Sequence, residues 1–336
     1  MVAPNTIIPA DTDGYGSDYP FSVAAEKPLT QRDLMDIQRD HYEGTQFDLT
    51  KGLAAGPYGD PNRFDMVARD NLTMMDMIQG GFERAISLFR TSYSIVCMAR
   101  AKLPNPVGAM VWFTQHAPSG SSYTPLYVSA SNPPAGYMKG SLFKYDNTVA
   151  FWNFAAAANY AARFYEFAMQ DVREVQNALE SKWVSKSHAI EAKAAEILAT
   201  RTNTTEAIHM VNDMLDDFTN AAGDETVATW RDLLPRLITL YHDGYHAEDL
   251  TGSAIRMKKL FYPKWWLDAV GYFNNKPQTG PDVIMFQPTP GSSSDSSFVS
   301  TVFATAIFTG IPCLFAGFVL ARRMQGRRFE YHNIDL

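Results

Sequence analysis

Positive charge is scarce in the body of this 336-residue chain, where 29 Lys and Arg stand against 36 Asp and Glu for a net charge of -7. No Lys/Arg run occurs before the C-terminal tail, so nothing tracks a phosphate backbone and nucleic acid is not an expected partner. Cysteine is rarer still. The two that occur, Cys97 in an alternating apolar segment and Cys313 in a C-terminal apolar run, offer no staple for the folded body and leave the compartment open. A Gly-x-Ser-x-Gly elbow, a Walker loop and a dinucleotide fingerprint are all missing, which leaves serine-hydrolase, nucleotide and hydride-transfer chemistry without support. The opening residues, MVAPNTIIPADTDGYGSDYPF, lack a basic segment followed by an apolar one, so no secretory leader is read there.

One long apolar run is present. Residues 298–321 form 24 positions without a charge, longer than the ~20 that span the hydrocarbon core as a helix. Arg322, Arg323, Arg327 and Arg328 follow, and a Ser-rich flexible stretch precedes. The pattern predicts a single transmembrane helix in contact with membrane lipid. Residues 276–297 form its linker and 322–336 a basic cytoplasmic tail, with the body lumenal or extracellular at a lysosomal or cell-surface membrane. Two sequons, Asn71-Leu72-Thr73 and Asn203-Thr204-Thr205, fit that side of a membrane.

Residues 1–28 have irregular, loop-like composition. Thr30 then caps a helical pattern with apolar Leu34, Met35 and Ile37 that ends near His41. Within 44–63, Gly44, Gly52, Gly56 and Gly59 with Pro57 and Pro61 exclude a helix and predict a long loop of turns. Segments 85–98, 107–115 and 123–131 read as strands of an antiparallel sheet. Asp146 or Asn147 opens a long helical stretch to about Thr200, and two further helices are expected over 204–220 and 226–241, the second bent at Pro235. Strands followed by helices define an α+β body.

The densest chemistry runs from Arg39 through Asp40, His41 and Glu43 to Asp48 and Lys51. No second histidine stands at helical spacing from His41, so a capped helix end with salt-bridged loop residues is expected rather than a metal. His242 and His246 stand four apart, but Gly244 between them and the missing glutamate favour a structural or solvated pair. No metal and no cofactor are expected. Arg90 interrupts an apolar strand pattern, and such a charge either pairs with an acidic loop or faces a site. Cys97 reads as a small core filler. Trp152, Phe154 and the aromatic cluster 261–267 read as packing.

Taken in order, the stretches RDHYEGTQFDLTKGLAAGPYGDPNR (39–63), ERAISLFRTSYS (83–94), LPNPVGAMVWF (103–113), SSYTPLYVSAS (121–131) and DNTVAFWNFAAAANYAARFY (146–165), with FYPKWWLDAVGY (261–272), resemble the secernin and bacterial dipeptidase family of cysteine hydrolases. The resemblance implies part of an N-terminal-nucleophile αββα sandwich with a helical C-terminal half, spanning 29–275, to which the sequence adds the C-terminal transmembrane helix. It also implies that a cysteine at the mature N-terminus attacks dipeptides or small amides with its own α-amino group as base, and that no cofactor takes part. Met1 and Val2 are not nucleophiles, so the nucleophile-bearing segment is expected upstream or on a separate chain, with a homo-oligomer as another arrangement. By analogy with related amide hydrolases Arg90 is the candidate arginine lining the site, and Asp40, Glu43, Asp48 and Lys51 are candidates for gripping the charged ends of a dipeptide. The competing expectation is a non-catalytic, membrane-tethered scaffold or interaction protein built on the same fold.

Overall fold

Helix α1 (Gln31–Gln38) begins at the cap the sequence provides. Thr30 Oγ1 accepts the Asp33 N–H at 3.2 Å, and the Asp33 carboxylate accepts the Thr30 N–H at 2.8 Å. This exchange satisfies two donors that a helix N-terminus leaves open. The computed structural model describes residues 22–64, 82–248, 250–251 and 256–274, all within one compact unit covering 1–275. After α1 the chain enters a loop of turns around a short 3-10 segment, Leu53–Ala55. Gly52 (φ 78°, ψ 175°) and Gly56 (φ 65°, ψ −169°) bracket that segment, in conformations open only to glycine.

Strands β1 (Tyr93–Ala99), β2 (Ala109–Gln115) and β3 (Thr124–Tyr127) form an antiparallel sheet in the order β1-β2-β3. In register, Val96 faces Trp112, which faces Pro125. Val96, Met110, Trp112 and Tyr127 are buried in the core, following the period-2 alternation of a strand covered on one face. The other face carries Tyr93 and Ile95, 61% and 42% exposed, and exposed Cys97. Tyr93 stacks on Phe113 of β2 across that face, ring centroids 6.0 Å apart. The first strand starts at Tyr93 rather than 85 because the preceding residues form turns, with Thr91 N–H donating to the Leu88 carbonyl.

Three helices back the sheet: α2 (Ala150–Ala162), α3 (Tyr165–Thr200) and α4 (Thr204–Leu240). Buried alanines at 150, 155, 157 and 161 allow α2 to approach its neighbours closely. Phe154 meets Trp230 edge-on at 5.4 Å, and the Trp230 indole N–H donates to the Gly120 carbonyl at 3.0 Å. The helical stretch expected to run unbroken to Thr200 divides at Phe164 (φ −133°, ψ 41°). Its ring turns inward against Tyr58 (5.9 Å) and Tyr241 (6.0 Å), and that burial compensates for the interrupted helical bonds. Conversely, the two helices expected over 204–220 and 226–241 are one. Leu215, Phe218, Ala222, Thr226, Trp230, Leu233 and Leu237 make a continuous buried stripe at three- and four-residue spacing, and tertiary packing of that stripe overrides Gly223 and Pro235.

Gly223 has a packing role inside α4. A Cβ there would lie 2.3 and 2.4 Å from Pro134 Cβ and Cγ, and a proline ring cannot swing aside. Gly223→Ala is therefore expected to lower the unfolding free energy by about 1–3 kcal/mol, although alanine gains roughly 1 kcal/mol of helix propensity over glycine. Urea unfolding measures it, and a more stable variant would show that the 134 segment yields.

Short strands β4 (Tyr241–His242), β5 (Tyr245–Ala247) and β6 (Met257–Lys259) make a second antiparallel sheet, followed by helix α5 (Lys264–Ala269). The expected αββα sandwich is corrected here. Among the described residues the fold is mixed α and β, with one sheet backed by helices on a single face. The second sheet, with strands of two and three residues, is too short to form an opposing layer. The expected transmembrane helix, and the single-pass location built on it, are corrected as well. No helix among the described residues is long and apolar enough to cross a membrane, since the long helices α3 and α4 carry charges along their length. The run 298–321 with its arginine flank, the linker 276–297 and the sequon at Asn71 lie outside the described residues.

Candidate substrate cleft

The end of α1 sets up a pair of carboxyl groups. His41, 2% exposed, donates its N–H to Glu43 Oε2 at 2.6 Å, and its ring Nδ1 lies 3.1 Å from Glu43 Oε1. Burial on its own would raise the Glu43 pKa, but hydrogen bonds from the His41 ring and backbone, its own backbone and Asp40 outweigh it and bring Glu43 down to about 2. Asp40 moves the other way, raised first by burial and then by its hydrogen bond with Glu43. Glu43 is thus the anion of the pair, and Asp40 is the group that takes up a proton first. Tyr42, between them, sits at φ 66°, its N–H donating to Asp40 Oδ1 at 2.6 Å and its hydroxyl to the Arg84 carbonyl.

Asp48 ties the loop to itself. Its Oδ1 accepts from the Thr50 N–H (2.8 Å) and hydroxyl (2.6 Å), and its Oδ2 from the Gly44 N–H (3.0 Å). Burial opposes these bonds, yet they hold its carboxyl below the usual aspartate value. The loop then docks on the start of α3, where the Glu166 N–H, open at a helix N-terminus, donates to the Tyr58 carbonyl at 2.9 Å. The Tyr58 hydroxyl donates to the Leu260 carbonyl at 2.9 Å, and its ring meets Tyr262 at 5.7 Å. These contacts bring the 260–266 segment onto the same side.

Between the three pieces lies a cleft of about 630 Å3, lined by Glu43, Thr50, Lys51, Tyr58, Tyr165, Glu166, Arg173, Pro263 and Trp265 among others. Of the residues singled out in the sequence, Glu43 and Lys51 line it. Asp40 and Asp48 do not; they are engaged in the loop's own bonds. Arg90 does not line it either. It is exposed, ahead of β1, with its guanidinium 5.9 Å from the Phe89 ring. Sequence reasoning missed Tyr165, Glu166, Arg173 and Trp265. The signal that could have found the first three is the break at Phe164, hidden in what reads as continuous helix.

Among the described residues no group of three or more His, Cys, Asp or Glu side chains could hold a metal. His242 and His246 lie on the β4–β5 hairpin rather than a helix. His246 stacks on Tyr241 at 4.8 Å, and His242 Nδ1 stands 3.0 Å from Asp243 Oδ2. Cys97 is exposed in mid-strand on the outer face of the sheet.

The fold and cleft define a mixed α and β protein whose glycine-turned loop and helix start enclose a pocket with side chains of both charge signs, sized for a small ligand. The model of peptidase family C69 matches residues 4–178, more than half of the chain, and the chain belongs to that family. It is 24% identical over 223 residues to the "Probable dipeptidase" of Latilactobacillus sakei, which covers 66% of this chain and 40% of that protein. It is 21% identical over 228 residues to the "Probable dipeptidase B" of Lactococcus lactis subsp. lactis (strain IL1403), with 68% and 41% covered. The chain spans less than half the length of these curated relatives. The stretch matched to the family contains every cleft residue named above except Pro263 and Trp265.

Proposed function

We propose that this chain forms the substrate-gripping part of a cysteine-type dipeptidase, a hydrolase of dipeptides or small amides, whose nucleophile comes from polypeptide outside this sequence. The observation that carries the reading is the pairing of signs within one cleft: Glu43 and Glu166 against Lys51 and Arg173, matching a ligand that is an ammonium at one end and a carboxylate at the other. In this reading Lys51 and Glu43 grip the ends of the dipeptide, while Asp40 and Asp48 shape the loop that presents them. The attacking group is an N-terminal cysteine whose α-amino group takes the thiol proton. The thiolate adds to the scissile carbonyl, the C–N bond breaks, and the amine leaves with that proton. Water then cleaves the thioester, releasing the acid and restoring the thiol. Neither cysteine of the chain suits the role, since Cys97 is mid-strand away from the cleft and Cys313 is not N-terminal.

The test is a dipeptide panel offered to the full chain alone and with a co-expressed nucleophile-bearing polypeptide of the family. No turnover is expected from the chain alone. The supplemented enzyme should turn over, with Lys51→Ala lowering kcat/KM about tenfold or more through loss of a charged contact. Robust turnover by the chain alone, abolished by Cys97→Ala, would sink the reading.

A further inference from the structure

We infer that Tyr165 and Arg173 form the carboxylate pole of the cleft, holding the free C-terminal carboxylate of a bound peptide between a hydroxyl and a guanidinium. The inference rests on the cleft being a peptide site and adds the two residues that determine its demand for a free acid.

Tyr165 is 7% exposed, and apart from the neighbouring Arg173 guanidinium, whose hydrogen bond and charge both act to lower its pKa, its hydroxyl meets no partner among the described residues and its proton has no acceptor there. A buried hydroxyl whose proton has no acceptor is costly, so a fold tolerates one chiefly where something else completes it. The ring meets His41 edge-on at 6.1 Å, and the residue lines the cleft together with Glu43 and Arg173. Arg173 stands eight residues along α3, two turns on and on the same side of the helix. Helical side chains lean toward the N-terminus, so its guanidinium leans back over Tyr165. Burial raises the phenol above its ordinary value, and the positive charge of Arg173 is the strongest influence opposing that rise, ahead of Glu43 and Asp60 on the other side.

The charge next to this hydroxyl is uncommitted. Arg32, Arg39, Arg100 and Arg236 each pair with a carboxylate, whereas Arg173 has no ion pair among the described residues and is exposed. Glu43, across the cleft, is already held by the His41 ring and N–H. What remains unsatisfied at this end is therefore a cation and a neutral donor, the combination that fits a carboxylate. A phosphate dianion fits poorly, because Glu43 and Glu166 line the same cleft and would repel its second charge.

The experiment compares equilibrium binding of glycyl-phenylalanine and glycyl-phenylalanine amide to the full chain by calorimetry. The free acid should bind about tenfold or more tightly than the amide, the range of a charge-assisted hydrogen bond. Arg173→Gln should remove most of that preference, leaving what Lys51 contributes, and Tyr165→Phe should cut it severalfold while leaving the melting temperature unchanged or higher, because a buried hydroxyl proton without an acceptor is removed. Equal or absent binding of the two probes, or a preference that survives both substitutions, overturns the inference. Inorganic phosphate that displaces the acid at its own binding concentration overturns the assignment to a carboxylate. A preference lost in Arg173→Gln together with no turnover in the supplemented enzyme would uphold this pole and sink the hydrolase reading instead, so the two fail separately.

Discussion

Glu180→Ala is expected to lower the unfolding free energy by about 3–5 kcal/mol, the cost of stripping a buried ion pair of one partner. Glu180 is 1% exposed. Its Oε2 accepts from Arg32 Nη1 at 2.9 Å and Arg39 Nη1 at 3.1 Å, and its Oε1 accepts from Arg39 Nη2 and from the Tyr123 N–H at 2.9 Å. One side chain of α3 thus clamps α1 and the start of β3 together. Removing it leaves Arg39, whose side chain is 11% exposed, with only the 3.6 Å contact to half-solvated Asp36 and the Pro118 carbonyl, and that loss of its close carboxylate makes the cost large. For a folded unit of this size the melting temperature should fall by roughly 10 °C. Glu180→Gln, which keeps an acceptor for Tyr123, should cost less. The double variant Arg39→Ala/Glu180→Ala should cost less than the two singles summed, because the orphaned guanidinium is gone. A loss below about 1 kcal/mol in Glu180→Ala would show that water replaces the carboxylate and that the clamp is dispensable. Arg39 immediately precedes Asp40 and the cleft loop, so the same variant should also weaken peptide binding.

What the sequence made legible was local. The helix start after Thr30, the turns forced by Gly52 and Gly56, and the order of strands before helices follow from residue chemistry within a few positions. That Glu43 and Lys51 reach the cleft wall has the same local origin, as polar side chains on a loop that glycine bends. The errors share a different origin. Phe164 breaks a helix because Tyr58 and Tyr241, far away in sequence, offer it a buried place, and no propensity at positions 163–165 announces that. A break between 220 and 226 and a bend at Pro235 were expected, yet a buried stripe from Leu215 to Leu237 carries one helix through both. Arg90 looked like a charge inside a strand only because the strand was started eight residues too early. Tyr165 and Arg173 were invisible as cleft-lining residues, since their place depends on which face of α3 meets the loop. The 24-residue apolar run gives length and polarity only and lies outside the described residues, among which no helix is long and apolar enough to cross a membrane.

Between pH 6.5 and about 4 the protein should lose roughly 3 kcal/mol of stability through a single side chain, His116. It is 8% exposed, stands at φ 63° at the end of β2, and its Nδ1 has no hydrogen-bond partner among the described residues. Its ring meets Phe151 edge-on at 5.8 Å and borders a cavity of about 20 Å3 shared with His41 and Tyr165, behind the cleft. Burial lowers its pKa from 6.5 to about 4. Above pH 6.5 the imidazole is neutral in both states and adds no pH dependence. As the pH falls from 6.5 towards 4, the unfolded chain binds a proton that the native state refuses, so stability drops throughout that window and levels off below it. The magnitude follows from about 1.4 kcal/mol per pH unit. Asp40 and Asp60, both raised by burial, act with the opposite sign: the native state takes up their protons first, which stabilises it as pH falls. A difference measurement cancels them. His116→Asn is the variant of choice, because asparagine tolerates a positive φ and does not titrate. Urea unfolding at pH 7 should find the two proteins within about 1 kcal/mol of each other, as expected for a tolerated polar exchange, while at pH 4 the variant should be the more stable by roughly 3 kcal/mol. Parallel pH profiles for the two proteins would mean that His116 takes up its proton in the native state, through a partner or a rotation into the cavity. The back wall of the cleft would then carry a positive charge at acid pH, facing the same Tyr165 that is assigned here to the peptide carboxylate.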